Sequence, residues 1–147
     1  MNAAYGACAS SMTRGRVLAI SSSVSSLDAV TWPGPPMVHE VAQEVDPSAR
    51  VVYVDHDPLV AAHMWALGVH GTAQGRVECV LADARNPDSV LGDPFLIDTI
   101  NLGEPVGLIL GAVLHFYPGD EAGEIVAALV DRLPAGSHLV ITHPAAE

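Results

Sequence analysis

The sequence predicts an α/β protein built on a parallel sheet with helices on both faces. From residue 38 onward, apolar runs alternate with segments of helical periodicity in the order α-β-α-β-α-β-α-β. The apolar runs are continuous and rich in Val, Ile and Leu, which is typical of strands that are covered on both faces. In such sheets the crossovers are right-handed, and ligands bind beyond the carboxyl ends of the strands.

The first predicted elements lie between residues 38 and 68. VHEVAQEV (38–45) has apolar residues at helical spacing, and Pro47 ends this helix. RVVYV (50–54) follows as a buried strand. The segment PLVAAHMWALG (58–68) is predicted to be a helix, with Asp57 as its N-cap, a proline at its first position and a glycine near its end.

The remaining elements complete the alternation. RVECVLAD (76–83) is the next predicted strand, and NPDSVLGDPFLIDTI (86–100) forms two short helical turns that are broken at the Gly-Asp-Pro triplet. PVGLILGAVLHF (105–116) is the most apolar predicted strand. PGDEAGEIVAALVDRL (118–133) is an amphipathic helix whose first turn carries acids, which suits the helix dipole. SHLVITH (137–143) is the last strand.

The N-terminal segment, residues 1–37, is predicted to be irregular or poorly ordered. Ser and Pro are frequent in it, and no period of a helix or strand is sustained. RVLAI (16–20) is its candidate short strand. We therefore expect the partial domain to cover residues 38–147. Whether residues 1–37 are native sequence or arise from a shift of reading frame in the gene stays open.

Composition narrows the class of partner. The formal net charge is −11, from 6 basic and 17 acidic residues, which argues against binding to nucleic acid or to an anionic membrane. The two cysteines, Cys8 and Cys79, form no CxxC pattern, and this fits a reducing cytoplasm. No apolar run reaches the roughly 18 residues of a membrane span, and the N-terminus is a poor signal peptide. We expect a soluble cytoplasmic protein.

Chemically active side chains follow the predicted strands. Asp55, Asp83 and His115 all lie at strand carboxyl ends. In nucleotide-binding sheets, an acid about 20 residues beyond a glycine-rich turn accepts hydrogen bonds from the ribose hydroxyls, and Asp55 follows Gly34 by 21 residues. Asp83 has the position of a group that reads the edge of an adenine ring. The alternative is that Asp55 and Asp83 only begin turns, as Asp57 does by capping a helix.

Three blocks of the sequence resemble a known family. They are VHEVAQEVDPSARVVYVDHDPLV, LADARNPDSVL and GLILGAVLHF. They are similar, in the same order, to blocks of an actinobacterial family of S-adenosylmethionine-dependent methyltransferases. The likeness runs from about Val38 to His143, roughly three quarters of the chain. It implies a Rossmann-like class I methyltransferase fold, present here in incomplete form, and S-adenosyl-L-methionine as the cofactor.

The resemblance also implies roles for individual residues. Asp55 matches the ribose-binding acid of the family, with His56 beside it. Asp83 matches the acid near the adenine, and Ala84 and Arg85 follow it. Such a site needs no nucleophilic side chain, because the cofactor carries the reactive methyl group and the protein aligns donor and acceptor.

The sequence departs from the family pattern in two places. The family has a G-x-G turn before the VHEVAQ helix, whereas this chain has a single glycine, Gly34, within TWPGPP. Family members are also longer at both ends, so the predicted strand 137–143 becomes an exposed apolar edge. We expect this edge to allow association into a homo-oligomer.

The histidines and aromatic residues have open roles. His115 could orient a methyl acceptor or take its proton, or it could be a structural histidine. His56, His63 and His70 repeat every seven residues, a helical rise of roughly 10.5 Å, which is too long for shared zinc coordination, and we predict no metal site. Four aromatic residues are expected to pack in the core, although one near the adenine is also conceivable: Tyr53, Trp65, Phe95 and Phe116.

Two functions therefore stay open. The first is a methyltransferase acting on a small-molecule or other unknown acceptor. The second is a truncated, catalytically inactive relative that retains the nucleotide-binding sheet. A dehydrogenase-like nucleotide binder is a weaker third hypothesis, since the G-x-G-x-x-G fingerprint is absent.

Overall fold

The computed structural model describes residues 15–21, 37–66 and 74–143 of the chain. Within these residues the strands are β1 (Arg16–Ser21), β2 (Arg50–Asp55), β3 (Arg76–Leu81), β4 (Gly107–Gly111) and β5 (His138–Thr142). The helices are α1 (Val38–Val45), α2 (Pro58–Ala66), α3 (Pro87–Leu91), α4 (Pro94–Thr99), a 3-10 turn (Leu114–Phe116) and α5 (Glu121–Val130).

The five strands form one sheet in the order β3-β2-β1-β4-β5, and every neighbouring pair is parallel. The first residues of β1, β2 and β3 pair with one another in register, so the three strands start at the same level. The carboxyl ends of all five strands therefore lie along one edge. The prediction of a parallel α/β sheet is confirmed.

The central position of β1 changes where the domain begins. Val17, Leu18, Ala19 and Ile20 are each at most 4% exposed, because β1 is paired with β2 on one side and with β4 on the other. RVLAI, the candidate strand of the sequence analysis, is thus the middle of the sheet. The boundary expected at residue 38 does not mark the start of this sheet, which includes Arg16–Ser21.

Both faces of the sheet are covered by apolar side chains, as the continuous strand runs predicted. The face covered by α1 and α2 is formed by small residues and a few larger ones: Val17, Ala19, Ala42, Val51, Tyr53, Val60, Ala61, Met64, Val77, Cys79 and Ile109. The face covered by α3, α4 and α5 is larger and more aliphatic: Leu18, Ile20, Val52, Val54, Val80, Val90, Leu96, Ile100, Leu108, Leu110, Ile125 and Leu129. Burial of these side chains is the main stabilising contribution to the fold.

Short polar side chains determine where several helices begin. The Asp57 Oδ1 atom accepts a hydrogen bond of 2.8 Å from the Leu59 N–H, as expected for the N-cap of α2. Asn86 and Asp93 cap α3 and α4 in the same way, and Pro follows each of them. The predicted break between two short helical turns is therefore confirmed.

The strand predicted for residues 105–116 is shorter than expected. β4 ends at Gly111, and Ala112 adopts a positive φ of 50°, which directs the chain out of the sheet. The Ala112 N–H donates to the backbone oxygen and to the Oγ1 atom of Thr142, each at 3.0 Å, and these bonds hold the turn against β5. His115 consequently lies on the 3-10 turn. The prediction that it ends a strand is wrong.

The prediction that four aromatic residues pack in the core is mostly wrong. Tyr53 is 7% exposed and belongs to the core, but Trp65, Phe95 and Phe116 are more than half exposed. Trp65 and Phe95 lie on the outer faces of α2 and α4. Both helices are apolar nearly all round, so the helical period of the sequence does not show which face meets the sheet.

In the described ranges, no helix combines the length and apolarity that crossing a bilayer requires.

Candidate functional site

The strand register brings the two predicted acids to neighbouring positions at the carboxyl edge. Asp55 is the last residue of β2 and pairs with Leu81 of β3. The Asp55 backbone oxygen accepts a hydrogen bond of 3.0 Å from the Ala82 N–H, so Asp83 follows directly after the last bond between these strands. The expectation that both acids lie at the same edge thus agrees with the register.

Asp55 is a buried carboxylate whose hydrogen bonding is incomplete. The residue is 3% exposed, and its Oδ1 atom accepts a hydrogen bond of 2.9 Å from the Asp57 N–H. Its Oδ2 atom is buried and has no hydrogen-bond partner among the residues that the structure describes. Burial raises the pKa of Asp55, and the Asp57 amide opposes this shift. An unsatisfied buried carboxylate oxygen is costly, which is a physical reason to look for a ligand there.

Asp83 differs, because Arg85 already occupies its carboxylate. The Arg85 Nη2 and Nε atoms lie 2.7 and 3.0 Å from Oδ2, and the Arg85 backbone N–H donates to Oδ1 at 2.9 Å. These bonds lower the pKa of Asp83. The side chain of Asp83 is 34% exposed, and that of Arg85 is 57% exposed. Ala84, between them, is buried at 4% exposure.

His56 lies beside both acids. Its Nδ1 atom is 3.8 Å from the Asp55 Oδ1 atom, and its side chain is 56% exposed. The charge of His56 also contributes to lowering the pKa of Asp83. His56 is therefore an exposed group next to a buried acid, and its role at a ribose site stays a prediction.

Tyr117 joins this edge from the other side, and the sequence analysis did not identify it. It follows the 3-10 turn and packs against the larger core cluster. The centre of the Arg85 guanidinium lies 5.9 Å from the centroid of the Tyr117 ring, within cation–π range. Burial, followed by the charge of Asp83, raises the pKa of Tyr117. Its place shortly after a strand was the available signal in the sequence.

A buried pair fixes the first turn of α1 near Asp55. Tyr53 and Asp55 are two residues apart on β2, so their side chains face the same side of the sheet. The Tyr53 hydroxyl accepts a hydrogen bond of 2.9 Å from the His39 N–H and lies 2.9 Å from the His39 Nδ1 atom. Burial raises the pKa of Tyr53 and lowers that of His39, so both stay neutral. The sequence analysis missed this pair, although a tyrosine among aliphatic strand residues was visible.

His115 lies at the carboxyl edge on the β4 side. It is exposed, and its ring centroid is 4.1 Å from that of Phe116. His143, which directly follows β5, presents its ring nearly at a right angle, with centroids 5.9 Å apart. The turn at Ala112 thus places His115 next to the end of β5.

Two predicted features fall partly outside the described residues. Gly34, together with the predicted glycine turn, lies there, and so does His70 of the histidine series. In the ranges 15–21, 37–66 and 74–143, no three His, Cys, Asp or Glu side chains are arranged to hold a metal ion.

The fold and the edge together define a class of protein. A parallel sheet whose order changes direction at β1 has its ligand crevice beyond the carboxyl ends at that point. A buried acid at the end of β2 is the ribose-binding position of nucleotide-binding α/β proteins. The class is therefore that of α/β proteins with a Rossmann-like sheet.

Comparison with known proteins then identifies the family. Residues 16–147 match a family model described as S-adenosyl methyltransferase, and the chain belongs to this family. No curated protein matches the chain. The resemblance drawn from the three sequence blocks is confirmed, as is the link to actinobacterial relatives.

Two solved structures are similar to this chain over most of its length. A DUF574 family protein from Streptomyces avermitilis is 35% identical, with a TM-score of 0.75, and the match covers 95% of this chain and 50% of that protein. A candidate methyltransferase from Thermobifida fusca is 29% identical, with a TM-score of 0.69, and the match covers 95% of this chain and 48% of that protein. The chain thus spans about half the length of these relatives.

Proposed function

We propose that this chain binds S-adenosyl-L-methionine and transfers its methyl group to a small-molecule acceptor. Family membership supports the cofactor. The observation that carries the proposal is the buried Asp55 carboxylate at the end of β2, whose Oδ2 atom has no partner among the described residues. A ribose hydroxyl is a donor of the kind that this oxygen requires.

The residues around Asp55 fit the adenosine part of the cofactor. Asp55 would accept hydrogen bonds from the ribose hydroxyls, and these charge-assisted bonds are stronger than neutral ones. Asp83 would accept a bond from the amino group of adenine, with buried Ala84 beneath the base and exposed His56 beside it. Gly34, the remaining residue of the predicted set, lies outside the described residues, and its part in binding stays a prediction. A net charge of −11 also favours a cationic sulfonium ligand.

His115 is the residue that we assign to the methyl acceptor. When bound, the cofactor supplies a methyl group on a sulfonium sulfur, ready for in-line displacement. His115 would orient the acceptor and take the proton that a hydroxyl or amine loses when its heteroatom bonds to carbon. Its exposed ring beyond β4 lies at the same edge of the sheet as Asp55.

Calorimetry with S-adenosylmethionine and S-adenosylhomocysteine tests the proposal. We expect micromolar binding that Asp55→Ala abolishes. Asp46→Ala is the matched control, since Asp46 is also an acid but precedes β2, at the amino edge of the sheet. Absence of binding by the unsubstituted protein would contradict the proposal.

A transfer assay separates the two functions that the sequence left open. Purified protein is incubated with S-adenosylmethionine that carries an isotope-labelled methyl group and with a small-molecule extract, and labelled products are sought by mass spectrometry. Label in a product that depends on Asp55 supports the enzyme. Binding without any labelled product would support the inactive relative instead.

We also propose that two copies of the chain associate into a dimer through the edge strand predicted at residues 137–143. β5 is at the edge of the described sheet, and Leu139 and Ile141 are 39% and 44% exposed. We expect a dimer in light scattering that Ile141→Lys converts to a monomer; a monomeric unsubstituted protein would contradict this. Exclusion of nucleic acid and membranes, and a cytoplasmic location, stay predictions from composition.

A further inference from the structure

Arg85 holds Asp83 in a way that affects any ligand at this position. Both oxygens of the Asp83 carboxylate accept hydrogen bonds from Arg85, one of them from two side-chain nitrogens. The lone pairs of the carboxylate are therefore largely used within the turn 83–85. Asp55 offers the opposite case, because one of its oxygens has no partner in the described part of the chain.

A purine that reaches Asp83 has to replace these bonds. An amino group at the purine 6-position donates hydrogen bonds and can substitute for the guanidinium at a carboxylate oxygen. A purine with only hydrogen at the same position, as in purine riboside, offers no donor there, because its N1 atom only accepts. Such a base leaves the bonds between Arg85 and Asp83 in place.

We propose that Arg85 is a specificity-determining residue of the adenine end, acting as an internal competitor for the Asp83 carboxylate. A base that donates at its 6-position displaces it and a base without a donor there does not, so the competition sets how strongly adenine is preferred over unsubstituted purine. This inference rests on the proposed function, because it requires an adenosine-bearing ligand at the carboxyl edge.

Tyr117 and Glu121 provide a place for the displaced guanidinium. The Arg85 guanidinium already lies over the Tyr117 ring at 5.9 Å, and Glu121 at the start of α5 acts on it electrostatically. Arg85 can therefore release Asp83 and keep favourable contacts, since cation–π attraction does not require the carboxylate. The free energy needed to move Arg85 from Asp83 when a ligand binds is thus small, because the ion pair is exposed.

Binding of adenosine and of purine riboside to Arg85→Ala tests the proposal. Adenosine affinity should rise about two- to fivefold, the range that corresponds to the strength of an exposed ion pair. The affinity for purine riboside should stay constant, because this nucleoside has no donor for Asp83. Calorimetry of both nucleosides gives the ratio of affinities, which a merely structural role of Arg85 would not change.

Arg132→Ala is the matched control variant. Arg132 is another exposed arginine in an ion pair with an acid, Asp88, and its removal changes the net charge by the same amount. If both variants raise adenosine affinity equally, a general charge effect explains the result and the inference is overturned. A lower adenosine affinity in Arg85→Ala would make Arg85 a direct ligand and would also overturn it.

Measurements on the unsubstituted protein separate this inference from the proposed function. If the protein binds neither S-adenosylmethionine nor adenosine, the proposed function fails and this inference fails with it. If both bind and the ratio of adenosine affinity to purine riboside affinity is the same with and without Arg85, only the inference fails. Thermal unfolding of Arg85→Ala verifies that the variant is folded, as expected for a side chain that is 57% exposed.

Discussion

Asp55 and Asp83 end neighbouring strands and have opposite environments. Asp55 is buried, lacks a partner for Oδ2 within the described residues, and has a raised pKa. Asp83 is partly exposed, is paired with Arg85, and has a lowered pKa. The acid with the unsatisfied oxygen is the one that costs folding energy, so a bound ligand improves its environment, whereas a ligand at Asp83 has to replace existing bonds.

The surroundings of the two acids differ in the same way. Next to Asp55, the His39–Tyr53 pair joins α1 to β2 by buried hydrogen bonds. Next to Asp83 are the exposed side chain of Arg85 and the half-buried ring of Tyr117. We infer that the β2 end is the fixed part of the site and the β3 end is the adjustable part.

The largest expected effect is the difference in ligand affinity between Asp55→Asn and Asp83→Asn. Asp55→Asn should weaken S-adenosylhomocysteine binding about 10- to 100-fold, since bonds to a charged acceptor contribute about 1.5–3 kcal/mol. Asp83→Asn should weaken it by at most about fivefold, because Arg85 already offsets part of the gain. Calorimetry at neutral pH measures both, and equal losses would contradict the comparison.

The next effect concerns stability and the fixed part of the site. Tyr53→Phe should lower the free energy of unfolding by about 1–3 kcal/mol, because the His39 N–H and Nδ1 lose their buried partner. Tyr117→Phe is the matched control. Because Tyr117 is in the adjustable part, this substitution should change the free energy of unfolding by less than about 0.5 kcal/mol. Urea unfolding measures both variants. A similar effect of the two substitutions would argue against a fixed and an adjustable part.

The smallest effect is a difference in pH dependence. The raised pKa of Asp55 stabilises the folded state at low pH, and this contribution is lost as the pH rises through the folded pKa, above the usual 3.8. The lowered pKa of Asp83 stabilises the folded state above pH 3.8. This contribution is lost only as the pH falls through the folded pKa of Asp83, which lies below 3.8.

Between pH 4 and 7, the stability gained by Asp55→Asn should therefore increase with pH. The effect of Asp83→Asn should stay nearly constant over the same range and below about 1 kcal/mol, since the ion pair is exposed. Urea unfolding at several pH values measures both. A constant difference for Asp55→Asn would show that its pKa is not raised.

Much of the fold could be predicted because strand and helix signals were strong and local. α1 begins and ends as the apolar spacing and Pro47 indicated, and the cap at Asp57 marked the start of α2. The placement of Asp55 and Asp83 at one edge followed from the parallel arrangement alone.

The features that could not be predicted depend on contacts between distant parts of the chain. The end of β4 is set by Ala112, whose positive φ is held by Thr142, thirty residues later. The central role of β1 depends on pairing with β2 and β4, which a short apolar stretch does not reveal by itself. Exposure of Trp65 and Phe95 depends on which side of an apolar helix meets the sheet.

The position of β1 also has a consequence for the synthesis of the protein. Val17 pairs with Gly107, about 90 residues later in the chain. At a translation rate of roughly 5–20 residues per second, an apolar strand waits about 5–20 s for its second neighbour. During this interval the nascent chain exposes an unpaired strand edge, so a cell that makes this protein has an expected need for chaperones that cover such edges on the ribosome.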